Sequence, residues 1–400
     1  MHGTRRGNPK GAKFSDVRAA AKSPRSFNSR FFCASRPPSP NQPMSTRSTR
    51  VVIVFVAATT ILGLTGLAAS SATTGQGPVR TTPRLHANTA GTTLPGTRCP
   101  AFPADNVWNT PITTLPVNAN SATWLAAMNS ASTDLHPDYG PSGNPKQPYG
   151  IPWVVVSART KFTSIKFLYA SESDRRPYPL AAATPVEGGS DRHALMVDPY
   201  KSARSLACTL FETYDTQYRA AGRSTAGSGA IWNLNSNALR PATFTSADAA
   251  GLPILPGLVN FDEVASGAMD HAIRFTAECT QESYLWPARH EAGQSNTNCP
   301  PMGARFRLND SFTLPASACS SFCQTVLTTM KTYGLILADN GSNWYFQGTA
   351  DRRWTYNEVD QLKQIPANQF VAVDESCLVV SPNSGEALQP GTAPYTQSCG

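Results

Sequence analysis

The sequence predicts a mostly β fold, a β-sandwich or jelly-roll-like domain with a few packed helices; an α+β fold is the alternative. Three observations lead there. Short apolar runs rich in β-branched and aromatic residues recur through the middle of the chain. Turns rich in Pro, Gly and Asp separate them. Segments with helical periodicity are few.

Taken in order, residues 151–157 read Ile-Pro-Trp-Val-Val-Val-Ser, and residues 163–170 alternate through Ile165, Phe167 and Tyr169. Residues 193–197, 206–214, 230–234, 271–276 and 304–308 continue the series. The best helix is 316–333, where Phe322, Val326, Leu327, Met330 and Tyr333 form a stripe and Gly334 ends it. Residues 335–338 then resume as a strand. Residues 121–129 place Trp124, Leu125 and Met128 on one side. Thr355 and Glu358 have capping-box spacing ahead of Val359, Leu362 and Ile365. Residues 246–250 fit one helical turn.

Charge divides the chain. Residues 1–50 carry 11 Lys/Arg and one acid, whereas the chain beyond Ala72 carries 23 Lys/Arg and 25 Asp/Glu. The basic excess therefore belongs to a leader, which argues against nucleic acid as a partner. Residues 51–69 are uncharged and apolar, Arg47 and Arg50 precede them, and small residues follow. That is a secretory signal over residues 44–72, with a single membrane anchor as its rival. Residues 1–43 read as a mis-assigned start or a disordered leader, since Met44 opens a conventional signal. Residues 73–98 read as a disordered linker, 99–377 as a single β-rich domain and 378–400 as a polar tail. The expected location is secreted, with no stable membrane span once the signal is cleaved.

Cysteine usage agrees with export. Beyond Cys33 in the leader there are eight: Cys99, Cys208, Cys279, Cys299, Cys319, Cys323, Cys377 and Cys399. An even number outside the cell predicts four disulfides. The local pairs Cys279–Cys299 and Cys319–Cys323 are expected, with Cys99 tied to one of the C-terminal cysteines.

Several segments carry a resemblance: Asn106-Val-Trp-Asn-Thr-Pro-Ile112, Ser246-Ala-Asp-Ala-Ala-Gly-Leu-Pro-Ile-Leu-Pro-Gly257, Asp270-His-Ala-Ile-Arg-Phe275 and Ala338-Asp-Asn-Gly-Ser-Asn-Trp344. With residues 135–140 and 229–240, they resemble a group of secreted, mostly actinobacterial proteins without a settled activity. The resemblance implies export from a bacterial cell and assigns no catalytic residue.

The site is therefore argued from chemistry. His136, His193, His271 and His290 are the histidines expected to be ordered, and each has polar neighbours. Alternation puts His193 with Leu195 and Val197, and His271 with Ile273 and Phe275, so each could open a strand and point inward. Such imidazoles shuttle protons or bind a divalent metal. No cofactor is certain; the candidate metal ligands are His193, His271 and Asp339. Glycosidic cleavage needs two carboxyls. Asp191 and Asp270 are the first choice as catalytic acids, because histidine follows each within two residues. Glu187, Glu212, Asp215 and Asp339 are further candidates. Elimination from a uronic sugar would use Arg192 or Arg274 against the carboxylate and a His or Tyr for the proton. His290, Trp286 and Trp344 complete the expected substrate contacts, since flat rings pack on apolar sugar faces.

These readings predict a secreted carbohydrate-active enzyme, a glycoside hydrolase or polysaccharide lyase whose partner is an extracellular polysaccharide. The alternative is a non-catalytic glycan-binding or cell-surface domain. The sequence leaves the oligomeric state open.

Overall fold

A computed structural model describes residues 92–399 except 145, 146 and 221. The expected leader, signal and most of the linker lie outside the described residues. The described strands are β1 (His136–Asp138), β2 (Trp153–Val155), β3 (Lys166–Phe167), β4 (Ala194–Asp198), β5 (Thr209–Tyr214), β6 (Thr225–Ala226), β7 (Ser228–Asn233), β8 (Ile273–Ala277), β9 (Arg305–Leu308), β10 (Leu335–Asn340), β11 (Tyr345–Gln347) and β12 (Phe370–Val373). The α-helices are α1 (Ser121–Ala127), α2 (Phe261–Ser266), α3 (Ser321–Thr332), α4 (Tyr356–Leu362) and α5 (Ala393–Ser398).

The expected β-sandwich is not what forms. One six-stranded mixed sheet runs β1-β11-β8-β10-β9-β12, a four-stranded sheet runs β2-β4-β5-β7, and β3 pairs with β6. None of the three closes into a barrel, and the class is α+β. The reason lies in the pairing of β8 with β10, which is parallel. Parallel neighbours need a long crossover, and α3 lies within it. That helix has Ser320 as its N-cap and buries Phe322, Val326, Leu327 and Met330. The apolar stripe legible in the sequence thus serves a crossover in a mixed sheet.

Both larger sheets are covered on two sides. In the four-stranded sheet, Leu195, Val197, Leu210 and Trp232 join the main core, while Met196, Phe211 and Ala194 pack in a second cluster with Phe167 and Tyr178. This double burial explains why 193–197 reads as a continuous apolar run. In the six-stranded sheet, Phe275 packs on Phe306 and Trp344. The intervening Arg274 turns to the opposite face, where Gln347 is also buried. One face is oil and the other carries a polar stripe.

Residues 246–250 form no helical turn. The Asp248 carboxylate instead accepts from the backbone N–H groups of Ala250 at 3.1 Å and Leu252 at 3.0 Å, a side-chain-capped turn that competes with helix. The capping box at Thr355 and Glu358 forms and opens α4. Residues 378–399 pack against the body, with Leu378 and Tyr395 buried. The disulfides are Cys99–Cys208, Cys279–Cys299, Cys319–Cys323 and Cys377–Cys399. Both local pairs form; Cys99 joins β5's approach rather than the C-terminus. Among the described residues no helix is long and apolar enough to cross a membrane.

Candidate functional site

The polar stripe follows from register. Gln347 of β11 stands beside Asp138 of β1, and Tyr345 beside His136. Arg274 of β8 stands beside Ile336 of β10, and Thr276 beside Asp339 after a bulge. Side chains two residues apart share a face. His136, Asp138, Tyr345, Gln347 and Arg274 are therefore gathered across three strands.

Arg274 is the anchor, with its side chain fully buried. Its guanidinium donates to Gln347 Oε1 and to Asp248 Oδ2 at 3.3 Å, and lies 3.6 Å from Asp339 Oδ2. Its Nε has no partner among the described residues. Gly257 makes room for it: a Cβ there would fall 2.9 Å from the Cβ of Arg274 and 2.7 Å from the Trp108 ring. Burial raises the pKa of Asp248, and Arg274 opposes the rise. Asp339 is pushed up to about 6 by burial and by the Asp248 charge, again against Arg274. Its side chain is 25% exposed, so it is the member of the cluster that meets solvent.

The four-stranded sheet brings His193 to the same place, just ahead of β4. Its Nδ1 is 2.5 Å from Glu187 Oε2 and its Nε2 is 3.1 Å from the Ala247 carbonyl. Both partners accept, so the ring donates from both nitrogens as an imidazolium. Burial disfavours that charge, but the Glu187 hydrogen bond and charge outweigh it and hold the pKa above the ordinary value. Glu187 lies on a loop turned by Gly189, whose φ is +93°. Glu212 of β5 ties this sheet to the residues before Leu258. It accepts from Ile254 N at 3.0 Å, Leu255 N at 2.9 Å and Trp232 Nε1 at 2.9 Å, and burial pushes its pKa up to about 7.

Aromatic side chains rim this polar floor. The His136 and Tyr345 rings stack with centroids 4.0 Å apart. The Tyr149 hydroxyl donates to Asp138, and Tyr149 is 49% exposed. Burial raises the pKa of Asp138, opposed by that hydrogen bond. Tyr214, half-buried, feels the charges of Asp191 and Asp339. These residues gather where the polar face of one sheet meets the leading edge of the other.

Of the residues expected from sequence, His193, Arg274 and Asp339 are brought together here. Asp191 is exposed at the edge, accepting from the Ser190 hydroxyl at 3.0 Å. Arg192, at φ +50°, donates through Nε to the Thr216 carbonyl at 2.9 Å.

The others stand apart. His271 precedes β8, at the end remote from Asp339; Thr276 is five residue steps further along the extended chain, roughly 16 Å. Its Nδ1 donates to the Ala272 carbonyl at 2.8 Å and its Nε2 to Glu263 at 3.0 Å. The metal set of His193, His271 and Asp339 therefore fails twice. His193 lies by Asp339 whereas His271 lies at the opposite end of β8, and neither ring keeps a free lone pair. Among the described residues no group of His, Cys, Asp and Glu is arranged to hold a metal ion. Asp270 hydrogen-bonds Tyr333, beyond the same remote strand end, so it cannot face Asp191 across a cleft. The carboxylate pair expected for a hydrolase or glycosidase does not form, and nothing in the described residues shows that activity. Trp344 is fully buried and donates to the Met128 carbonyl at 3.0 Å; it is core. Trp286 donates to the Ser384 carbonyl at 2.8 Å and holds the C-terminal segment. His290 bonds the Ala249 carbonyl at 2.7 Å, behind the Asp248 turn. Arg274 is sealed by its own partners and cannot reach a substrate carboxylate.

Sequence reasoning missed Asp248, Gln347, Tyr345, Tyr149 and Tyr214. Two had a signal: Tyr345 and Gln347 alternate around Phe346. Comparison with protein-family models, with curated proteins and with solved structures returns no match to this chain.

Proposed function

We propose that the protein is an extracellular glycan-binding domain and that the junction of the two sheets is its ligand cleft. The observation that carries this reading is the rim of partly exposed rings, Tyr345 stacked on His136 with Tyr149 and Tyr214, over acceptors supplied by Asp339, Asp138 and Glu187. Flat rings cover the apolar face of a sugar, and carboxylates accept from its hydroxyls. A floor of carboxylates favours a neutral sugar over a uronate, because a like charge there would be repelled. A glycan array followed by titration calorimetry tests it. A bound oligosaccharide is expected, with Tyr345→Ala lowering affinity at least tenfold and leaving the melting temperature unchanged. No binding to any glycan by folded protein would overturn the reading.

One observation favours a second reading, proton transfer on the bound sugar. Asp339, pushed up to about 6, meets solvent beside the His193–Glu187 pair. A carboxyl that titrates near neutrality can give and take a proton. Mass-spectrometric analysis of glycan products tests this, with Asp339→Asn as the control. An altered glycan that disappears with the variant supports catalysis; an unchanged glycan that is still bound leaves a binding domain.

A further inference from the structure

A second surface, sharing no residue with the cleft, concentrates positive charge. Residues 157–226 hold ten Lys/Arg and seven Asp/Glu, against eleven and eighteen in the rest of residues 92–399. Within that segment Arg159, Lys161, Tyr218 and Arg219 line one depression, and Arg219 and Arg223 line a second with Thr225. Lys166 of β3 stands in register beside Thr225 of β6. All five cations are exposed, and none takes part in an ion pair among the described residues. Arg219 reaches only the Gln217 amide, at 3.4 Å. No carboxylate lines either depression. In a domain with a net excess of acid, four unpaired cations on adjoining depressions, with Lys166 beside Thr225 at their edge, are a local reversal of sign.

We infer that Arg159, Lys161, Lys166, Arg219 and Arg223 form a docking surface for an acidic polysaccharide, a chain bearing repeated uronate carboxylates. Charge complementarity over a run of cations favours a polymer over a single anion, because each added anion meets another unpaired cation. Guanidinium groups grip carboxylates through paired donors. Tyr218, 40% exposed beside Arg219, offers a ring to a sugar face. A nucleic acid would meet a body of its own sign of net charge.

The test uses the full chain, with polygalacturonate as probe and neutral galactan as control, followed by affinity electrophoresis. Retardation by polygalacturonate is expected at low ionic strength and should weaken steeply with salt. The variant Arg159→Ser/Lys161→Ser/Arg219→Ser/Arg223→Ser should bind at least tenfold more weakly. A charge-keeping Arg159→Lys/Arg219→Lys/Arg223→Lys variant should retain most of the affinity. Arg175→Ser/Arg176→Ser, equally exposed and of the same sign, should behave as wild type. Unchanged binding by the four-site variant overturns the assignment, as does tighter binding to single-stranded DNA of matched charge. Because none of these residues lies in the cleft, a glycan array that finds no cleft ligand leaves this test intact.

Discussion

His193 and His271 are made from the same parts. Each ring is 2% exposed, each bonds a glutamate through one nitrogen and a backbone carbonyl through the other, and each has its pKa held above the ordinary value. They differ in what lies beyond the glutamate. Glu263 belongs to α2, and the polar groups near it, Asp270 with Tyr333 and Arg305 on the Tyr333 carbonyl, are bonded to one another. Glu187 belongs to a glycine-turned loop, and Arg274, Asp339 and Asp248 lie behind the ring. A buried histidine–glutamate pair is thus a general fastening. The charges behind His193 and the exposed rings nearby are what set one of the two apart as the proposed site.

Substitutions can break this contrast, starting with the largest effect. Arg274→Met leaves Asp248 buried without its counter-charge and should cost about 3–5 kcal/mol in urea unfolding. A loss under about 1 kcal/mol would mean the cleft floor is not held by that pair. His271→Phe removes both bonds of a sealed fastening and should cost about 2–3 kcal/mol, with glycan binding intact in calorimetry. His193→Phe should cost less, about 1–2 kcal/mol, since Glu187 can turn to water, but should abolish binding. If His271→Phe also abolished binding, the contrast would be lost.

The smallest effect is a slope. A histidine with a raised folded pKa stabilises fully below about 6.5 and loses that contribution as pH rises through the folded value. Both histidines act in this direction, so stability should decline above pH 6.5, and each Phe variant should flatten part of the decline. Asp339 and Glu212 have the same sign in a lower window, from 3.8 up to about 6 and from 4.5 up to about 7, because their folded forms hold the proton longer. Urea unfolding measured from pH 4 to pH 9 checks both; stability rising across that range would contradict the assignment.

What the sequence made legible was local. The α3 stripe, the Thr355 box, the two short disulfides and seven of the strand runs depend on neighbours within a few residues. What it hid was pairing. β1 and β11 are three residues each, too short to announce their partner strands, and they carry Asp138, Tyr345 and Gln347. The parallel alignment of β8 and β10 sends Asp339 and His271 to opposite strand ends, although both adjoin apolar runs and looked equivalent in the sequence. Trp344 read as a loop ring because Asn and Tyr flank it, yet its indole fills the core at φ +62°.

The Cys99–Cys208 bridge spans 109 residues and Cys377–Cys399 spans 22. Under tension applied at the two ends, these bridges carry the load past everything between their own cysteines. The loop with Glu187, the strand edge at His193 and the basic depressions at Arg159 and Lys161 all lie inside the first bridge. The Arg219 and Arg223 side of that surface lies just outside it. Pulled at its two ends, the chain would yield first between Cys208 and Cys377, where Arg274 and Asp339 reside. Half of the cleft is shielded from traction by covalent bonds, and the other half has only its packing to resist.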